Sequence, residues 1–513
     1  MKNEVDTLII GAGPAGLQFG YFLEKNHRDY LILERWKKPG GFFDYFPRHR
    51  TLISINKVFT GKNNPEINLR WDWNSLLNEN PSLQFRNYSQ KYFPDPDDLV
   101  HYLGDFAAYY KLKVKYDTTI EKVLKKDDRF YVTDQQGNAF TGKRLVIATG
   151  LTKEWEPDFP GRELCDTYAK HTLILDEYRN KRVLIVGKGN SGFETANYLS
   201  GAAAVIHLLS PHSIKMAWES HFVGNLRAVN NDFLDTYQLK SQNTVIDATI
   251  NRVEKLGDKY FVEITYSHAK GQSRRIEYDR VILCTGFRFD DSIFDESCRP
   301  ELVFNGKLPA QTAEWESVNV PGLYFAGTLM QACDFKKTMS GFIHGFRYNV
   351  RALSLLFDMK YYDVPWTFTS ITSTPEEVLK KIIERVNNGS GIFLQPGFLQ
   401  DVVIVKDDHA EYYEDIRGDY IHQSFLGQND HYYTVALRYG HFENVFATER
   451  DPDPNKAEEA AYLHPVIQRF SFGKLVAEHH IQDDLESEWY LDEYVNPARV
   501  FLETQLATDV EMM

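Results

Sequence analysis

Two stretches decide the fold: VDTLIIGAGPAGL at residues 5–17 and RVLIVGKGNSGF at residues 182–193. In each, an apolar strand (Thr7 to Ile10; Val183 to Val186) runs into a glycine-rich turn and then into a helical pattern. The turns carry Gly11, Gly13 and Gly16 in the first copy and Gly187, Gly189 and Gly192 in the second. The first glycine makes the tight turn, the second lets backbone N–H groups approach a pyrophosphate, and the third lets the helix pack on the strand. The anion then lies at the positive end of the helix, a cradle to which Asn190 and Ser191 of the second copy belong. Two such units imply two dinucleotides and an α/β chain with two dinucleotide-binding (Rossmann-like) domains.

The residues after each turn separate the cofactors. The first unit reaches a second strand, Tyr30 to Leu33, that ends at Glu34, close to the spacing at which a carboxylate accepts a bond from an adenosine ribose. This fits FAD. The corresponding strand of the second unit, Val205 to Leu209, ends in Ser210-Pro211-His212-Ser213-Ile214-Lys215, with no acid at the critical place. A carboxylate there would repel a ribose 2′-phosphate, whereas Ser210, His212 and Lys215 could bind it, so NADPH is favoured over NADH.

Composition limits the partners. The chain has 513 residues, enough for about three domains, and its formal charge of −14 disfavours nucleic acid or an anionic membrane surface, both of which need clustered positive charge. Cys165, Cys284, Cys298 and Cys333 are widely spaced, with no CxxC pair and no metal-ligand pattern, so no metal site is expected and a reducing compartment is. No apolar run is long enough to cross a bilayer, and the first strand begins near Val5 with no leader pattern before it. A cytoplasmic protein is expected.

Short buried strands ending in glycine mark the domain crossings: Leu145 to Gly150, Val281 to Gly286 and Gly322 to Gly327. They place an FAD domain at 1–150 and 291–365, with an NADPH domain inserted at 151–290. Thr328, next to Gly327, stands where many FAD enzymes use an acid. The helical stretch Ser340 to Leu353, which carries Gly341 and Gly345, would aim its N-terminus at the flavin, where a helix dipole stabilises negative charge. Beyond it lies a small C-terminal α+β region, 366–513. There Thr374-Pro375-Glu376-Glu377 reads as a capping box opening a helix that stops at Gly389, followed by strand-like runs at Val402 to Val405 and Tyr432 to Tyr439.

Longer segments carry a family resemblance: FPRHRTLISINK (46–57), LRWDWNSLL (69–77), YFPDPDDLVHYLGDFA (92–107), MAWESHFVGNLRAVNNDFLDTYQLKS (216–241) and SGFIHGFRYNVRAL (340–353). With the two turns they make the chain similar to the FAD-dependent oxidoreductase domain-containing family, typified by the endoplasmic-reticulum flavoprotein associated with degradation and related to the flavin-containing monooxygenases. The resemblance implies a two-dinucleotide fold that binds FAD non-covalently and NADPH. Two departures limit the transfer. The chain opens on its first strand and ends ATDVEMM, so the reticulum location and degradation role are not carried over. The monooxygenase signature is partial: Phe159 and Gly161 match, Cys165 stands in place of a histidine, and Tyr168 lies one place short of the expected aromatic.

The expected activity is NADPH-dependent oxygenation through a flavin C4a-hydroperoxide, with molecular oxygen and a small soft nucleophile (an amine, an amino acid or a sulfide) as substrates. Asn56 and Ser54 are the candidate catalytic hydrogen-bonders, while Lys57, Lys336 and His344 are weaker candidates near the flavin. Two alternatives stay open: an NADPH-linked reductase of a disulfide or other small acceptor, and a partner-binding flavoprotein. A homo-oligomer is neither implied nor excluded.

Overall fold

The computed structural model describes residues 3–238, 243–440 and 449–512; the end of the 216–241 segment lies outside them. Three sheets organise the chain. In the first, Val114–Lys115, Tyr30–Leu33, Glu4–Ile10 and Ala139–Ile147 lie side by side and parallel. The long strand Ala139–Ile147 then serves two neighbours. Its last residues pair in parallel with Leu323–Phe325, and its first pair antiparallel with Arg129–Asp134, beyond which lies Ile120–Lys126. Helices Pro14–Lys25 and Ile343–Tyr362 cover this sheet, joined through the edge-to-face pair Phe19 and Phe357 at 5.1 Å.

The second sheet repeats the plan. Thr244–Leu256, Val205–Ser210, Arg182–Val186, Arg280–Leu283 and Asp166–Thr167 run parallel, and the long strand Thr244–Leu256 continues into an antiparallel extension with Lys259–Tyr266 and Ser273–Tyr278. Helix Asn190–Leu199 follows its glycine turn. The chain passes between the two sheets twice, and the crossing segments Lys153–Glu154 and Phe287–Arg288 pair with each other as a two-stranded link.

The C-terminal region forms a third, antiparallel sheet of six strands, from the edge strand Thr369–Ile371 to Lys474–His480. Its helix Pro375–Asn388 is capped by Thr374, whose hydroxyl accepts from the Glu377 N–H, as the capping pattern predicts. The sheet is not a peripheral lobe. Along Leu399–Val405, Val402 and Ile404 join the core of the first sheet and its helices, while Val403 and Val405 pack under helices Pro375–Asn388 and Asp492–Met512. Alternation along a strand makes this two-sided burial possible, and Tyr432 and Tyr433 divide between the two cores in the same way.

Two buried arginines reinforce this packing, Arg347 within the first unit and Arg70 across to the C-terminal region. Arg347, fully buried, donates to the carbonyls of Leu69, Asp72 and Ser75. Arg70 donates to those of Val386, Asn387 and Gly389. A buried cation survives here because carbonyl oxygens replace its water.

Candidate dinucleotide sites

The two glycine turns have the same geometry. Gly11 and Gly187 take φ of +106° and +118°, values that favour glycine. A Cβ on Gly11 would lie 2.7 Å from the Ala148 carbonyl oxygen, and one on Gly187 would lie 2.1 Å from that of Cys284. A Cβ on Gly16 or Gly192 would meet the carbonyl oxygen of its own turn's first glycine at 1.9 and 2.3 Å. The middle glycines differ: a Cβ on Gly13 or Gly189 would meet nothing within 4 Å. Each middle glycine therefore keeps clear a space that the protein does not fill, at the N-terminus of a helix. That is what a pyrophosphate requires.

In the first unit this space belongs to a cleft of about 570 Å³ whose lining includes Gly11, Gly13, Glu34, Thr118, Thr149 and Thr328. Glu34 closes the second strand as the spacing predicts. Its carboxylate accepts from the N–H groups of Ala12 and Trp36, at 2.5 and 3.0 Å. Burial raises its pKa against the lowering effect of those two bonds. Each oxygen retains a lone pair for a ribose hydroxyl. Thr328 donates to the Gly341 carbonyl at 3.0 Å, and Gly327 takes φ +76° where a Cβ would meet Ala15 at 2.5 Å. Gly341 lies just before the helix, which begins at Ile343 rather than at Ser340; a Cβ there would meet only the Gln331 side chain.

The second unit holds its turn differently. Asn190 donates to the Asn225 carbonyl and accepts from the Arg227 N–H and the Asn230 amide, so its side chain anchors the 225–230 segment. Ser191 lines a small cavity with Glu154, Tyr168, Cys284 and Phe287. Ser210 donates to the His212 carbonyl, and His212 and Lys215 are exposed. An acid does stand beside Ser210, but it arrives from the next strand: the parallel register pairs Ser210 with Asp247. Asp247 is bound by Lys188, the residue between Gly187 and Gly189, and accepts from Ser213 at 2.8 Å.

The units meet largely through residues of the 46–57, 159–168 and 216–241 stretches, outside both glycine turns. Phe46 stacks on Tyr168 at 5.7 Å; the Arg48 N–H donates to the Tyr168 hydroxyl, which itself donates to Glu194. Burial pushes the Glu194 carboxyl up to about 7, with the Tyr168 bond acting in the opposite sense. Burial, aided by His171 and Arg48, holds His49 down at about 4. Arg227 also donates to the Ile53 carbonyl. The partial signature at 159–168 is structural in part: a Cβ on Gly161 would lie 1.9 Å from the Val253 carbonyl oxygen, and the Val253 N–H donates to Pro160.

Neither Asn56 nor Ser54 is among the residues lining the large cleft. The Asn56 amide, 1% exposed, donates to the Ser89 and Lys91 carbonyls, and its Oδ1 has no partner among the described residues. Ser54 donates to Asn74. Lys57 and Lys336 are exposed. His344 is buried and stacked on Trp73 at 4.1 Å with neither ring nitrogen partnered among the described residues; burial first, then Arg347 and Arg227, lower its pKa well below the usual value.

Paired glycine cradles, the first followed by an acid at the end of its own second strand and the second by an acid from the neighbouring strand, give the chain two units of dinucleotide-binding form. The chain belongs to the pyridine nucleotide-disulphide oxidoreductase family, whose model matches residues 8–327. It is an FAD-dependent oxidoreductase. It is 36% identical to FAD-dependent oxidoreductase domain-containing protein 2 of Danio rerio, over 98% of this chain and 83% of that one. Among solved structures, it is similar to a flavin-containing monooxygenase from Stenotrophomonas maltophilia (TM-score 0.54, 21% identity), over 71% of this chain and all of that one. It is also similar to a bacillithiol disulfide reductase from Staphylococcus aureus (TM-score 0.53, 18% identity), over 70% of this chain and 99% of that one. At these identities the shared feature is the fold, which hosts both chemistries and does not choose between them. No helix among the described residues is long and apolar enough to cross a membrane.

Proposed function

We propose that the protein is an NADPH-dependent FAD monooxygenase that oxygenates a small soft nucleophile: an amine, an amino acid or a sulfide. The state of the cysteines carries this reading. All four are free. Burial pushes the Cys165 thiol up to about 12 and the Cys333 thiol up to about 11, and it raises Cys284 and Cys298 as well. A disulfide relay needs a thiolate available near neutral pH, and burial works against one at each of the four. An acceptor other than a protein disulfide is therefore favoured, and oxygen is the acceptor we infer.

Bound flavin supplies hydride acceptance and oxygen activation. The protein's own residues bind and orient it. Gly13 and the helix Pro14–Lys25 take the pyrophosphate, and Glu34 takes the adenosine ribose. Gly189, Asn190, Ser191 and the 210–215 segment take NADPH. Asn56, through its unpartnered Oδ1, and Ser54 beside it are our candidates for hydrogen bonding to substrate. The division into an FAD domain (1–150 and 291–365), an inserted NADPH domain (151–290) and a C-terminal region (366–513) belongs to the same proposal. So does a reducing, cytoplasmic location, which the free thiols favour.

The test tracks NADPH and oxygen consumption against amines, amino acids, sulfides and disulfides, with peroxide measured alongside. The expected result is coupled uptake with an amine or sulfide, little peroxide, and one atom of labelled oxygen in the product. NADPH oxidation driven by a disulfide without oxygen uptake would establish the reductase reading instead.

A further inference from the structure

Lys188 sits inside the second glycine turn, yet its side chain is 3% exposed and its ammonium is bound to Asp247. Asp247 closes the parallel part of Thr244–Leu256 beside Ser210, the end of the strand where an NAD-binding unit carries its ribose acid. Two further groups face the same carboxylate: the Ser213 hydroxyl at 2.8 Å and His268 Nε2 at 3.2 Å. The 266–268 turn is itself fixed on this loop. Ser267 donates from its backbone to the Asp247 carbonyl and from its hydroxyl to that of Pro211, both at 2.8 Å. A buried cation, a carboxylate and a hydroxyl thus converge on the ribose end of the second dinucleotide.

We propose that Lys188 and Asp247 together set the choice between the phosphorylated and unphosphorylated dinucleotide, Lys188 being the cation that binds the 2′-phosphate and Asp247 its resident competitor. The inference rests on NADPH as the cofactor of this unit and is independent of whether the flavin passes its electrons to oxygen. Without a nucleotide, a lysine so buried needs a counter-ion, and Asp247 is that ion. A 2′-phosphate brings close to two negative charges and three acceptor oxygens, so it is the stronger partner for Lys188 and Ser213. An unphosphorylated ribose brings no charge to exchange for the carboxylate. The exposed His212 and Lys215 lie in solvent, where screening weakens a charge contact. The buried pair is where discrimination is largest.

The test measures binding of 2′,5′-ADP and 5′-AMP to the flavin-loaded protein by calorimetry. Wild type should bind 2′,5′-ADP at least about tenfold more tightly than 5′-AMP. Lys188→Met should bring that ratio to about one, with 5′-AMP binding retained as the sign of a folded site. Lys188→Arg should keep the preference, and Asp247→Asn should raise it by about three- to tenfold. A ratio unmoved by Lys188→Met, an equal loss of both probes in that variant with Lys188→Arg also losing the preference, or a ratio that fails to rise in Asp247→Asn would overturn the proposal. Failure of wild type to bind either probe would overturn the nucleotide site as well. None of these outcomes depends on the oxygenation assay.

Discussion

Gly13 offers a substitution whose effects on fold and on cofactor should separate. Its φ of −76° and ψ of −175° are open to any residue, and a Cβ there meets no protein atom within 4 Å. Gly13→Val should therefore destabilise the flavin-free protein only modestly, by about 1 kcal/mol, the preference for glycine over valine at a helix N-cap, and shift Tm by about 3 °C or less. FAD has no such freedom. The added side chain occupies the space next to the helix N-terminus and displaces the pyrophosphate from its backbone donors. Each charge-assisted bond contributes about 1.5–3 kcal/mol. Losing two weakens binding by about 3–6 kcal/mol, or about 10²- to 10⁴-fold in Kd. The purified variant should be colourless by its 450 to 280 nm absorbance ratio, and a calorimetric melt of the flavin-stripped protein should fall within about 3 °C of that of stripped wild type. Gly16→Ala is the contrast: its Cβ would lie 1.9 Å from the Gly11 carbonyl oxygen, so it should damage the fold itself. Stoichiometric flavin in Gly13→Val, or a stripped variant as unstable as Gly16→Ala, would refute the reasoning.

Three further outcomes are expected. Ser210→Asp with Lys215→Ala places a second carboxylate beside Asp247 and should cut the NADPH to NADH ratio of kcat/KM by at least about tenfold; an unchanged ratio would show that the 205–215 segment does not face the 2′-position. Gly161→Ala puts a Cβ 1.9 Å from the Val253 carbonyl oxygen at a φ of +87°, and should destabilise the protein by at least about 2 kcal/mol in denaturant titration, where a near-neutral result would count against tight packing of the 159–165 turn. Burial raises Glu194 to about 7 from an ordinary 4.5, so the folded protein keeps a proton that the unfolded chain releases between those values. The stability this contributes is complete below pH of about 4.5 and is lost as pH rises through about 7. Glu194→Gln should match the parent Tm near pH 4 and exceed it near pH 8, and parallel curves would contradict the assignment.

The two glycine turns were legible because their demands are local. A positive φ at Gly11 and Gly187, and carbonyl oxygens within 2.8 Å of the missing Cβ, leave no other residue type for those positions. Glu34 was legible from spacing along a single βαβ unit. Asp247 was not, because its position beside Ser210 depends on which strand follows Val205–Ser210 in the sheet and in what register, and both are set by tertiary contacts. The pairing of Tyr168 with Glu194 joins two elements of one unit to the Arg48 loop of the other, again beyond local reach. The depth of the C-terminal sheet did leave a trace. Val402 to Val405 is an unbroken apolar run, and a strand with one face in water would alternate. The arginine that binds that region to the flavin unit left none, since Arg70 looks like a surface residue until its carbonyl partners are placed around it.

The sheet shared by two cores also sets the order in which the chain can be finished during synthesis. Arg70 finds its carbonyl partners 316 to 319 positions later. The apolar face that covers the flavin unit comes from strands that end at Ser471. A nascent chain therefore carries its first nucleotide turn out of the ribosome long before the layer that seals it exists, and closing such distant contacts is slow. Until the strand that ends at Ser471 is made, that unfinished surface is exposed to chaperones and proteases.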